Sequence, residues 1–167
     1  VFALLLIVAS KRLLLWTITA FTIAHSITLA GATLGLIHVA QEPVEAIIAL
    51  SILFLAMEII KVQRGRFSLA AKWPWLVAFI FGLLHGFGFA GALIEVGLPQ
   101  HAISLALIFF NLGVELGQLI FVTIVFTLGW VLHAFKQTKL MAWAKTATVY
   151  SIGGLSSFWL FERIGAF

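Results

Sequence analysis

The chain has 167 residues, of which 63% are hydrophobic and 10% charged, with a mean hydropathy of +1.17. Charged residues make up about a quarter of soluble domains, so this composition excludes a soluble domain and describes an integral membrane protein. Cysteine is absent, which excludes disulfides, thiolate metal sites and cysteine nucleophiles. The net charge of +4 sits in short loops and excludes a nucleic-acid-binding face.

A hydrocarbon core about 30 Å thick requires roughly 20 apolar residues per helix, and repeated runs of that length without strand-like alternation predict an all-α, polytopic transmembrane bundle. Residues 1–10 are apolar but only half a span long. The chain opens with Val1, so the natural protein is expected to begin upstream, and this stretch is read as the inner half of a first helix. No basic region precedes it, which argues against a signal peptide. Residues 13–39 form the second span, with Thr19, Thr22, His25 and Ser26 near one helical face. Pro43 suits the start of the third, 44–61, which carries Glu45, Ser51 and Glu58. Residues 75–98 are the fourth and contain His85 within FIFGLLHGFGFAGALIEVG. The run 102–135 is too long for one upright span and must tilt, project or break near Gly113, Gly117 or Gly129. Residues 147–161 are the last. The expectation is one membrane domain, 1–167, of six helices, the first truncated in its N-terminal half.

Lys and Arg fall on alternate loops: Lys11 and Arg12, then Lys61, Arg64, Arg66 and Lys72, then Lys136, Lys139 and Lys145, leaving only Arg163 on the other side. By the positive-inside rule those loops are cytoplasmic and both termini are outside. Gly31-xxx-Gly35, Gly82-xxx-Gly86 and Gly113-xxx-Gly117 share the small-xxx-small spacing that lets helix backbones approach. The glycines of Gly86–Gly91 lie inside a membrane helix with no preceding strand, so they are not a dinucleotide fingerprint.

Counted at about 1.5 Å per residue, His25 and His85 fall near mid-membrane and Glu115 within a few residues of it. Ionisable groups at that depth are costly and are functional candidates by default. Asn111, Glu115 and Gln118 share one helical face and offer amide and carboxylate oxygens. Two imidazoles with a carboxylate suit zinc, nickel, cobalt, iron or copper(II). The plainer alternative is that these side chains, with Ser26 and Thr22, only hydrogen-bond neighbouring helices. Glu45 and Glu95, near the outer span ends, either form a vestibule or face headgroups. Glu58 is expected to pair with Lys61 or a loop arginine. His38, His101 and His133 read as interface residues, and the Phe-rich runs with Trp73, Trp75, Trp143 and Trp159 as lipid-facing surface and aromatic belt.

Four stretches in order, AFTIAHSITLA (20–30), VEAIIALSI (44–52), GLLHGFGFA (82–90) and FNLGVELGQ (110–118), together resemble the HupE/UreJ family, in its HGFGFA-type branch. That family is named for hydrogenase and urease accessory genes and regarded as nickel or cobalt permeases. The resemblance implies a six-helix protein of the bacterial inner membrane that binds a divalent metal, nickel or cobalt ahead of zinc, copper or iron. It carries over to His25, His85 and Glu115 as ligands and to Glu45, Asn111 and Gln118 as further polar groups. The family pattern also places a His and an Asp-His pair ahead of the first span, upstream of Val1.

The reading that follows is a divalent-metal permease, a transporter rather than an enzyme, with a His25/His85/Glu115 site between the second, fourth and fifth spans. One alternative is an intramembrane hydrolase using the same cluster to activate water. The other is a non-catalytic accessory subunit. Expected partners are the bilayer, the metal ion and either further copies or a larger membrane complex.

Overall fold

The computed structural model describes residues 2–8, 10–97 and 102–165, and the side chains of 2 and 94–96 lie outside that description. The described residues form seven helices: α1 (Phe2–Leu5), α2 (Lys11–Thr33), α3 (Gln41–Gln63), α4 (Leu69–Lys72), α5 (Pro74–Val96), α6 (Ile103–Ala134) and α7 (Thr138–Ile164). Four of them, α2, α3, α5 and α6, are long and apolar enough to cross a membrane. The six expected helices are therefore seven here, because the basic loop after α3 contains a helical turn, α4, of its own.

Glycine stops set two helix ends. The second span ends at Thr33, short of the expected Val39, because Gly35 turns into the left-handed region at φ +72°. Leu36 N–H then bonds Gly31 O at 2.9 Å and Gly35 N–H bonds Ala32 O at 3.0 Å, the Schellman closure. Gly65, at φ +65°, ends α3 in the same way, with Arg66 N–H on Lys61 O at 2.8 Å. Gly31-xxx-Gly35 is therefore a helix stop and not a packing motif. At the other ends, Pro74 opens α5, where a missing N–H removes only a donor that the first turn leaves unpaired.

The long run does not break at Gly113, Gly117 or Gly129: α6 is continuous for 32 residues, about 48 Å. The last helix starts at Thr138 rather than 147, taking Lys139 and Lys145 into its first turns.

The tightest packing joins α2 to α5. A Cβ on Gly82 would meet Phe21 O and lie 2.9 Å from Ala24 Cβ, and one on Gly86 would meet Thr28 Oγ1 and His25 O. Those two glycines put the α5 backbone against the α2 segment that carries His25. Helix α3 lies against α5 on one side and α7 on the other. Its Leu55 and Ile59 form a buried cluster with Ala3, Leu4, Ala78 and Val149. Helix α6 covers α2 with a single stripe through Leu107 and Val122 and leaves its opposite face exposed.

Beneath the basic loop, Glu58 is fully buried and has three donors: Lys61 Nζ at 2.6 Å, Ser68 Oγ at 2.8 Å and Ala70 N–H at 3.0 Å. The expected pairing with Lys61 is present. The carboxylate also holds α4 in place, while Ser68 caps that turn by accepting from Ala71 N–H.

Candidate functional site

His25 and His85 line one cavity of about 360 Å³ together with Ser51, Gln118 and the rings of Phe21, Phe81 and Phe89. His85 is the twelfth of 23 residues in α5, and His25 is 1% exposed on α2. They meet because Gly82 and Gly86 bring the two backbones together beside them.

The protonation of His25 follows from its partner. Asn111 Nδ2 donates to Leu107 O at 2.9 Å, so Asn111 turns Oδ1 toward α2, where it lies 3.3 Å from His25 Nδ1 and 2.8 Å from Ser26 Oγ. An amide oxygen only accepts, so Nδ1 carries the proton and Nε2 has the free lone pair. That Nε2 is buried and has no hydrogen-bond partner among the described residues, and the same is true of Gln118 Oε1. Ser26 divides its one proton between Asn111 Oδ1 and Thr22 O, the latter at 2.7 Å. On the other imidazole, His85 Nε2 makes a long 3.5 Å contact with Ser51 Oγ. Ser51 gives its own proton to Ile48 O at 2.7 Å and so can only accept from His85.

Aromatic rings surround the imidazoles. Phe21 and Phe110 stack on His25 at centroid distances of 5.9 and 6.3 Å, Phe89 meets it edge-on at 5.4 Å, and Phe21 meets His85 edge-on at 5.6 Å. These phenylalanines were expected at the lipid surface, yet Phe21 and Phe89 line the histidine cavity and Phe110 stacks on His25. A sequence signal was present: Phe21, Phe81 and Phe89 each lie four residues from a histidine of their own helix, one turn along the same face. The rings make the lining of this cavity largely apolar, and a low-dielectric surrounding strengthens electrostatic contacts made inside it.

The remaining candidates separate. Glu115 is half-buried on the α6 stripe between Asn111 and Gln118 but does not line the cavity. Among the described residues, no three His, Asp or Glu side chains are grouped closely enough to hold a metal. Glu45 pairs with Arg163 at 3.1 Å, joining the start of α3 to the end of α7. Thr22 is buried, with Oγ1 unpartnered among the described residues. The side chain of Glu95 and all of His101 lie outside the described residues. His38 lines a second cavity, of about 320 Å³, with Thr33 and Gln41, whose Oγ1 and Oε1 are also buried without partners among the described residues.

Compared with protein-family models, residues 1–163 match the model described as HupE / UreJ protein. The chain belongs to the HupE/UreJ family. No curated protein and no solved structure matches it. The motifs that carried the resemblance map onto the cavity and the hydrogen bonds beside it: AFTIAHSITLA supplies Phe21 and His25 to the lining, GLLHGFGFA supplies His85 and Phe89, VEAIIALSI supplies Ser51 and FNLGVELGQ supplies Gln118, while Ser26 and Asn111 of the first and last bond each other and Asn111 bonds His25. In this HupE/UreJ protein the four motifs therefore come from four different helices and converge on one small volume.

Proposed function

We propose that this HupE/UreJ protein is a divalent transition-metal permease for nickel or cobalt, and that the ion binds between His25 and His85. The observation that carries the reading is the pair of buried, unpartnered atoms His25 Nε2 and Gln118 Oε1 on residues of one cavity. Burying an acceptor without a partner costs about 1–3 kcal/mol, and an ion with both as ligands recovers that cost. Neutral imidazoles and an amide oxygen form a borderline donor set that suits nickel and cobalt and releases them more readily than thiolates. Glu115, on the same α6 face, supplies the negative charge beside the site.

The ion is taken from outside to inside through six spans, with α1 as the inner end of the first and α7 as the sixth, in a bacterial inner membrane. The cavity of Thr33, His38 and Gln41 lies between the outer end of α2 and the start of α3 and is the mouth of the path. Glu45 is paired with Arg163 and serves the α3–α7 contact instead of collecting ions.

Proteoliposomes loaded with a metal-sensing dye test this. Nickel or cobalt influx is expected with the wild type and lost in His85→Ala. Undiminished influx in a His25→Ala/His85→Ala double variant overturns the reading.

A further inference from the structure

Between α3 and α5, on the side away from α2, lies a hollow of about 460 Å³, within the size range of small-molecule sites. Leu50 and Phe54 form one wall, Leu76, Ile80 and Leu84 the other, and Trp73 closes one end. Ser51 brings the one hydroxyl in the lining, and its proton is already given to Ile48 O. Such a lining offers a water-soluble ligand nothing to bond. The hollow opens sideways, since Leu50, Leu76 and Ile80 are all exposed.

Its length and its rim point to one occupant. From Pro74 at the start of α5 to Leu84 is ten residues, about 15 Å, half of a hydrocarbon core about 30 Å thick. At the shallow end Lys72 Nζ sits 4.4 Å above the Trp73 ring and 5.7 Å from the Phe67 ring. Aromatic faces hold the ammonium there, and among the described residues no carboxylate pairs with it, nor with Arg64 or Arg66 of the same loop. A slot one leaflet deep, apolar but for the Ser51 hydroxyl and topped by a cation without a carboxylate partner among the described residues, has the charge and shape of a phospholipid monomer.

We propose that this slot binds an anionic phospholipid of the adjoining leaflet, with one acyl chain between α3 and α5 and the phosphate on Lys72. The site stands on the slot and its rim and does not depend on the transport reading. It has a consequence for the histidine cavity, because Ser51 and Phe81 line both spaces and the wall between them is one side chain thick. The acyl chain completes that wall and keeps the cavity closed from the side.

The test uses the full chain in vesicles of equal parts phosphatidylglycerol and phosphatidylcholine, with first one lipid and then the other carrying a photoactivatable group near the end of its acyl chain. Crosslinks from phosphatidylglycerol are expected at Leu50, Ile80 and Leu84, exceeding those from phosphatidylcholine about fivefold, the weight of one lysine at an anionic surface. Lys72→Gln, at an exposed position, is expected to remove the preference. Ile80→Trp is expected to fill the slot and abolish crosslinking at Leu50 while leaving that at exposed Ile124 of α6 unchanged. The proposal is overturned if both lipids label the slot alike, if label spreads evenly over the slot and α6, or if Lys72→Gln retains the preference.

Discussion

Asn111 determines which nitrogen of His25 is free, and it does so through a bond on its own helix. Because its Nδ2 is committed to Leu107 O, its Oδ1 faces Nδ1 of the imidazole and leaves Nε2 as the buried lone pair. Partners that orient a ligating histidine in this way are worth about 10- to 100-fold in metal affinity. Asn111→Leu removes the acceptor and lets the other tautomer compete, so nickel or cobalt affinity, measured by calorimetric titration, is expected to fall about tenfold. Ser26→Ala takes away only a second donor to the same oxygen and is expected to leave affinity nearly unchanged. An Asn111→Leu protein that binds as tightly as wild type would show that the tautomer is set elsewhere. The sequence placed Asn111 on the polar face of its helix by the i, i+4, i+7 spacing with Glu115 and Gln118. It did not show that Asn111, and not Glu115, faces His25. Spacing orders residues around one helix, whereas the rotation of that helix against its neighbour comes from packing between chain segments more than 80 residues apart.

Three identical glycine spacings have three different outcomes. Gly31 and Gly35 end α2, Gly82 and Gly86 bring α5 against it, and at Gly113 and Gly117 no described atom beyond their own stretch of α6 lies within 4 Å of where a Cβ would stand. What the spacing states is that a backbone can be approached. Whether anything approaches depends on the neighbour, here the Phe21–Leu29 stretch of α2, and in a bilayer no hydrophobic drive between helices selects it in advance. Substitution should therefore sort the motifs. Gly82→Ala and Gly86→Ala place a methyl group into backbone atoms of α2 and are expected to destabilise by about 2 kcal/mol, within the range for overpacked cores. Gly113→Ala and Gly117→Ala place it in open space and are expected to be neutral or to stabilise by up to about 1 kcal/mol through helix propensity. Thermal unfolding of the four variants in detergent checks the order, and a larger loss at Gly113 or Gly117 would put the close helix contact at the wrong pair. The phenylalanines around the histidines illustrate the same limit. Hydropathy treats a ring that faces lipid and a ring that faces an imidazole alike, and only the turn-by-turn offset from His25 and His85 separates them.

At the scale of the molecule, the open question raised by hydropathy is α7, which is less apolar than the four helices that qualify as spans. Two of its mid-helix hydroxyls do not need water. Ser156 bonds Ile152 O at 2.7 Å and Ser157 bonds Gly153 O at 2.8 Å, both within the helix, and Gly153 lies close enough to α3 that a Cβ there would be 3.6 Å from Ala56 Cβ. Hydroxyls satisfied by their own backbone are tolerated in lipid. The two helices also run antiparallel along their lengths, since Arg163 at the end of α7 reaches Glu45 at the start of α3. If α3 crosses the membrane, that ion pair places the end of α7 on the side where α3 begins, and α7 crosses too. The cysteine-free sequence makes this directly measurable with single cysteines at exposed sites. Val39→Cys precedes α3, Gln63→Cys is the last residue of α3 at the edge of one basic loop, Gln137→Cys lies just before α7 in the other, and Gly165→Cys follows α7. With a membrane-impermeant maleimide on intact cells, Val39→Cys and Gly165→Cys are expected to label, and Gln63→Cys and Gln137→Cys only after permeabilisation, because basic loops stay inside. Labelling of Gly165→Cys together with Gln63→Cys would mean that α7 returns without crossing, and the Arg163–Glu45 pair could then not exist in the membrane.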